Sequence, residues 1–134
     1  MSDYLVVKLI SKDIICFYDK DQIKINHCYS NVFCINAEVY SKYKIDDCNN
    51  SYVLCYVDGE PHCILKYKGV YYDPTFQVHD RIKGRKYVLV KEFGYKELYQ
   101  YMKGHDGIGW ESGEKYHIPP RLNVKGEITC TECS

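Results

Sequence analysis

Several things are scarce in this sequence of 134 residues. No apolar run approaches the length needed to span a bilayer. The opening MSDYLVVKLISKD has neither the basic start nor the long apolar stretch and small-residue cleavage site of a secretory signal. Both absences argue against membrane insertion and secretion, and a cytoplasmic protein is expected. Charge of one sign is missing too. Eighteen Lys and Arg balance 18 Asp and Glu with no single-sign block, so the wide electropositive footprint of a duplex-binding protein is not there. Alanine occurs only at Ala37 and arginine only at three positions. AT-rich codons produce that bias, which suggests a bacteriophage or an AT-rich bacterium as the source. Internal repeats, low-complexity tracts and linkers are also absent, and a single domain, 1–134, is expected at this length.

Cysteine and tyrosine, by contrast, are plentiful, with 8 and 15 copies. In a reducing compartment cysteines serve more naturally as core residues, metal ligands or catalytic groups than as disulfides. Tyrosines can stack on single-stranded nucleic acid, but that mode also wants a positive groove. The zero net charge does not provide one, so β-propensity and codon bias account for most of them.

Along the chain, 4–10 and 14–18 read as strands, followed by a helix from Cys28 to about Tyr43 with Asn26 available as its N-cap. Val32, Ile35, Val39 and Tyr43 recur at helical spacing, and Cys28 lies one turn before Val32 on the same stripe. Residues 52–57, 62–67 and 70–73 read as a strand meander through DGEP and a tight KG turn. A further strand at 86–93 and a helix at 95–103 follow. Residues 104–134 are rich in Gly, Pro and polar side chains and predict an irregular extension with one short strand near Glu127–Thr131. The pattern is α+β, with a Cys-bearing helix in the N-terminal half packed on an antiparallel sheet.

The first turn of a helix is where a thiol becomes a nucleophile. The partial positive charge of the helix N-terminus, and a nearby imidazolium, lower a cysteine pKa from about 8.5. A catalytic thiol also needs a histidine in reach, oriented by a carboxylate. The stretch GEPHCILKYKGVYYDPTF supplies both. With Lys68-Gly69 as a two-residue turn, Tyr67 faces Val70, Ile64 faces Asp73 and His62 faces Thr75. His62 and Asp73 then become diagonal neighbours on one face, about 7–8 Å apart at Cα. Taken singly, each residue has a plainer reading: Cys28 as a buried thiol, His62 as a hydrogen-bonded histidine, Asp73 as a turn residue before proline. Their joint order favours a site.

A cysteine opening a helix (CYSN), a strand beginning with His, and a short turn into a strand ending in YDPT resemble the core of transglutaminase-like enzymes of the papain fold. The resemblance covers roughly residues 22–77. It implies a papain-like core and a catalytic Cys28, His62 and Asp73 in that chain order, with an amide bond as the target. Papain-like peptidases also carry a glutamine six residues before the cysteine, whose amide donates to the oxyanion, and Gln22 stands at that offset. The histidine here is followed by Cys-Ile-Leu where the family commonly has a small residue and an aromatic, and Tyr29 replaces the usual tryptophan. Those differences leave the substrate unassigned.

The function expected is therefore cysteine-dependent acyl transfer on a protein or small amide substrate, as a peptidase or a glutamine amidase or deamidase, without a cofactor. The alternative is a non-catalytic interaction module, such as a phage protein that binds and inhibits a host protein. Cys130 and Cys133, in CTEC, are weak metal candidates, because zinc normally wants a second pair. Asn31 is expected to bond to neighbouring backbone, His27 to project away from Cys28, and His79, His105 and His117 to have no partner in the site.

Overall fold

The computed structural model describes residues 4–10, 23–24, 27–43, 50–79 and 81–130. The strand expected at 14–18, Gln22, Asn26 and Cys133 lie outside the described residues.

The fold is mixed α+β, with a long helix beside a multi-strand sheet. Five strands, β1 (Val7–Lys8), β2 (Ser51–Val57), β3 (Glu60–Tyr67), β4 (Val70–Tyr72) and β5 (Tyr87–Phe93), form one sheet in the order β1-β4-β3-β2-β5. The β2-β3-β4 meander is antiparallel, and β5 returns antiparallel beside β2. β1 is the exception, pairing parallel to β4.

Turn chemistry fixes the registers. Asp58-Gly59 and Lys68-Gly69 both have positive φ, 51° and 86° in the first and 51° and 80° in the second. Two consecutive residues with positive φ make the type of two-residue turn whose twist matches the flanking strands. Val57 therefore pairs with Glu60 and Tyr67 with Val70, and the β2–β3 ladder places His62 opposite Cys55.

Strand parity sorts the core into two faces. Tyr52, Leu54, Cys63, Leu65 and Tyr67 pack with Val32, Ile35 and Val39 of helix α1 (Cys28–Tyr43) and with Leu98 and Met102 of helix α3 (Tyr95–Gly104). Val53, Cys55, Val57, Ile64 and Tyr87 form the opposite cluster, covered in part by Leu5, Val7, Tyr71, Phe76 and Ile82. The stripe expected on α1 is thus the buried one: Val32, Ile35 and Val39 are almost without exposure.

Two differences from the sequence reading have physical causes. Residues 74–79 are a short helix, α2 (Pro74–His79), rather than the tail of a strand. Asp73 Oδ1 accepts the Phe76 N–H at 3.1 Å and the Asp73 carbonyl accepts the Gln77 N–H at 3.0 Å. Asp73 is therefore an N-cap with Pro74 at the first helical position, where a missing N–H costs nothing. The β3–β4 ladder ends at Leu65↔Tyr72, so Thr75 does not face His62. Instead its hydroxyl accepts from Asn31 Nδ2 at 2.9 Å.

The segment after Gly104, expected to be irregular, carries two hairpins. They are β6 (Ile108–Glu111) with β7 (Glu114–His117), and β8 (Arg121–Leu122) with β9 (Ile128–Thr129). The second is anchored to the sheet: the Tyr52 hydroxyl donates to the Pro120 carbonyl, and a Cβ on Gly126 would come within 2.9 Å of the Tyr56 hydroxyl. Any other residue would push the Tyr56 hydroxyl aside, and Gly126 also has φ of 80°, a conformation that favours glycine.

Candidate active site

Cys28 is the first residue of α1, whose first helical bond runs from the Asn31 N–H to the His27 carbonyl at 2.9 Å. The thiol is half-buried, with Tyr29 beside it in the same partly buried layer. Asn31 fastens this turn. Its side chain accepts from the Lys24 N–H at 3.2 Å and donates to the Lys24 carbonyl and to Thr75, both at 2.9 Å. The backbone bonding expected of Asn31 is present, and the Thr75 bond additionally ties the start of α1 to the start of α2.

His62 is 5 % exposed and Asp73 fully buried. His62 Nε2 lies 2.9 Å from Asp73 Oδ2. The same carboxylate oxygen accepts the Tyr87 hydroxyl at 2.7 Å, while the other oxygen caps α2. Every contact that a buried carboxylate needs is thus supplied by protein groups. The imidazole stacks on Phe76, centroids 4.2 Å apart, and the Arg85 guanidinium lies 4.3 Å from the far-reaching Phe76 ring. Phe76 shields the histidine–carboxylate bond from water.

Burial works against a charged imidazole here. The hydrogen bond to Asp73, the interaction with Cys28 and the charges of both partners outweigh it and push His62 up to about 9. Nε2 is engaged by Asp73. Asp73 therefore pairs with His62 directly, and Cys28 lies near enough to the imidazole to act on its proton affinity.

The other described cysteines face different conditions. Burial pushes Cys55 and Cys63 well above the ordinary thiol range, reinforced by neighbouring negative charge. Burial also raises Cys34, and raises Cys130 to about 11. All five described cysteines are free thiols.

Sequence reasoning missed Tyr87, Thr75 and the capping role of Asp73. The cap was readable, because Asp-Pro-Thr-Phe has an N-cap residue followed by proline. Tyr87 was not, since its meeting with Asp73 depends on β5 returning beside β2, where Val57 pairs with Tyr87. Gln22 lies outside the described residues. Cys130 is buried, and its partner in the CTEC pair, Cys133, lies outside the described residues; among the described residues no group of three or more His, Cys, Asp or Glu side chains could hold a metal ion. His105 bonds the Tyr101 carbonyl and His117 packs against Phe33 and Tyr99, both through contacts that involve none of the three site residues.

Comparison with family models, with curated proteins and with solved structures gives no match for this chain. No helix among the described residues is long and apolar enough to cross a membrane.

Proposed function

We propose that this protein is a cysteine-dependent acyl-transfer enzyme with a papain-like, transglutaminase-like core, acting on an amide bond as a peptidase or as a glutamine amidase or deamidase. The observation that carries the reading is the buried His62–Asp73 pair at 2.9 Å, with Cys28, at a helix start, close enough to raise the proton affinity of the same imidazole.

In this reading the Cys28 thiolate attacks the amide carbonyl carbon and a C–S bond forms. The C–N bond then breaks, and the leaving amine takes its proton from His62. Water next attacks the thioester, giving a proton to His62, and the C–S bond breaks to release the acid and restore the thiol. Asp73 keeps the imidazole oriented and stabilises its cation, and Tyr87 holds Asp73. In this reading the Cys28 backbone N–H, in the first turn of a helix, faces the developing oxyanion. The setting is cytosolic, where thiols remain reduced.

The test is alkylation of the native protein with substoichiometric iodoacetamide across a pH series, with modified cysteines mapped by mass spectrometry. Selective modification of Cys28 near pH ~7, where ordinary thiols are mostly protonated, and its loss in His62→Ala, are expected. Equal or lower reactivity at Cys28 than at the other cysteines rejects the enzyme reading.

A second reading, a non-catalytic interaction module, is favoured by one feature. Among the described residues strand β5 ends the sheet order, and its Val88, Leu89 and Val90 are exposed. Exposed apolar edges are suited to pairing with another chain. An inert Cys28 would leave this reading in place.

A further inference from the structure

A groove of about 600 Å³ runs between the β2–β3 turn and the β8–β9 hairpin. One wall adjoins the candidate site: Arg121 and Leu122 hold Tyr29, the residue after Cys28. The Leu122 N–H donates to the Tyr29 hydroxyl at 3.4 Å, and the Arg121 guanidinium lies over the Tyr29 ring at 5.0 Å.

Among the described residues Arg121 is held but not neutralised. Its Nε donates to the Pro119 carbonyl at 3.3 Å, while among the described residues no carboxylate forms an ion pair with it and neither Nη nitrogen has a protein hydrogen-bond partner. Two acidic residues also line the groove, but Glu127 accepts from Asn123 Nδ2 at 3.1 Å and Glu60 stands out at the β2–β3 turn. The Tyr29 ring beneath it and the Nε bond hold the guanidinium at the groove wall. A planar fork with two free donor groups matches a carboxylate better than any other common amide-substrate substituent.

We propose that Arg121 is a carboxylate anchor in this groove, so that the amide substrates of the Cys28 site carry a carboxylate close to the bond attacked. The proposal rests on the reading of Cys28 as the nucleophile. The carboxylate can belong to an acidic side chain or to a chain end, which share the same recognition chemistry.

Three bromoacetyl reagents separate these cases on the intact protein, with Cys28 alkylation followed by mass spectrometry. They are N-bromoacetyl-glutamic acid α-amide, with only the side-chain carboxylate, N-bromoacetyl-glutamine, with only the chain-end carboxylate, and the neutral N-bromoacetyl-glutamine α-amide. One of the two acids is expected to react about three- to tenfold faster than the neutral reagent, the range of a partly exposed charge-assisted pair, and which one identifies the source of the carboxylate. The acid-to-neutral ratio is read within each variant, so any change in thiol reactivity common to the reagents cancels. The ratio should fall to about one in Arg121→Gln and stay above it in Arg121→Lys, which keeps the charge. Equal rates for all three reagents, with iodoacetamide still selecting Cys28, overturn the anchor and leave the nucleophile intact. A preference that survives Arg121→Gln overturns Arg121 as its cause. Failure of iodoacetamide to select Cys28 overturns the nucleophile itself.

Discussion

Replacing Asp73 by asparagine sets the two jobs of that side chain against each other. One oxygen caps α2 by accepting from Phe76, and the other receives both His62 Nε2 and the Tyr87 hydroxyl. An amide has only one oxygen. If it stays on the cap, the NH₂ group faces His62, which must then accept at Nε2 and carry its proton at Nδ1. If the amide turns over, His62 keeps an acceptor and the cap is lost, at about 1 kcal/mol. In either case the negative charge behind the imidazole is gone. Losing a hydrogen bond to a charged group costs about 1.5–3 kcal/mol. At about 1.4 kcal/mol per pH unit, that moves the His62 midpoint from about 9 to between about 7 and 8. Titration of the His62 ring protons by NMR in the native chain and in Asp73→Asn reads this directly, and Cys28 alkylation at neutral pH should slow in parallel. An unchanged midpoint near 9 in the variant would show that Asp73 does not hold the imidazolium, and a midpoint near 6.5 in the native chain would remove the basis for the effect.

Tyr87→Phe removes the 2.7 Å donor to Asp73 Oδ2 and leaves His62 and Phe76 in place. The expected cost is about 1–2 kcal/mol in urea denaturation, with a slower neutral-pH alkylation of Cys28; normal stability and normal alkylation together would assign Tyr87 no positioning role. Stability of the native chain should also depend on pH. His62 binds its proton more tightly in the folded state, at about 9 against 6.5, so its contribution is complete below about 6.5 and is lost as pH rises through about 9, to a limit of about 3 kcal/mol. Denaturation at pH ~6 and pH ~9.5 measures that loss, which Asp73→Asn should reduce; a native chain as stable at the higher pH contradicts the raised proton affinity.

The site has an economical physical design. The short helix α2 exists because Asp73 caps it, and the same carboxylate orients His62. Asn31 then joins α2 to the turn that begins with Cys28 through Thr75. Displacement of α2 would therefore disturb both Asp73 and the turn that begins with Cys28.

The sequence by itself determined the local elements and the candidates. Helical spacing from Val32 to Val39 marked the buried face of α1, and the Lys68-Gly69 turn set the β3–β4 register. Both are short-range effects, since side-chain periodicity and positive-φ turns act within a few residues. Cys28, His62 and Asp73 were legible because they stand at element ends in the order that the resemblance implies. The cap at Asp73 was open to the same kind of reading but was taken for a strand end.

What only the tertiary structure decided depends on contacts between segments far apart in the chain. The parallel pairing of β1 with β4, the return of β5 beside β2 and the seating of the β8–β9 hairpin on Tyr52 and Tyr56 have no local signature. They are fixed by which apolar faces can be buried together, a property of the whole chain. Those same contacts bring Tyr87 to Asp73 and Arg121 to Tyr29. Local chemistry marked the candidate groups, and long-range packing set how the imidazole is charged and what lies beside Tyr29.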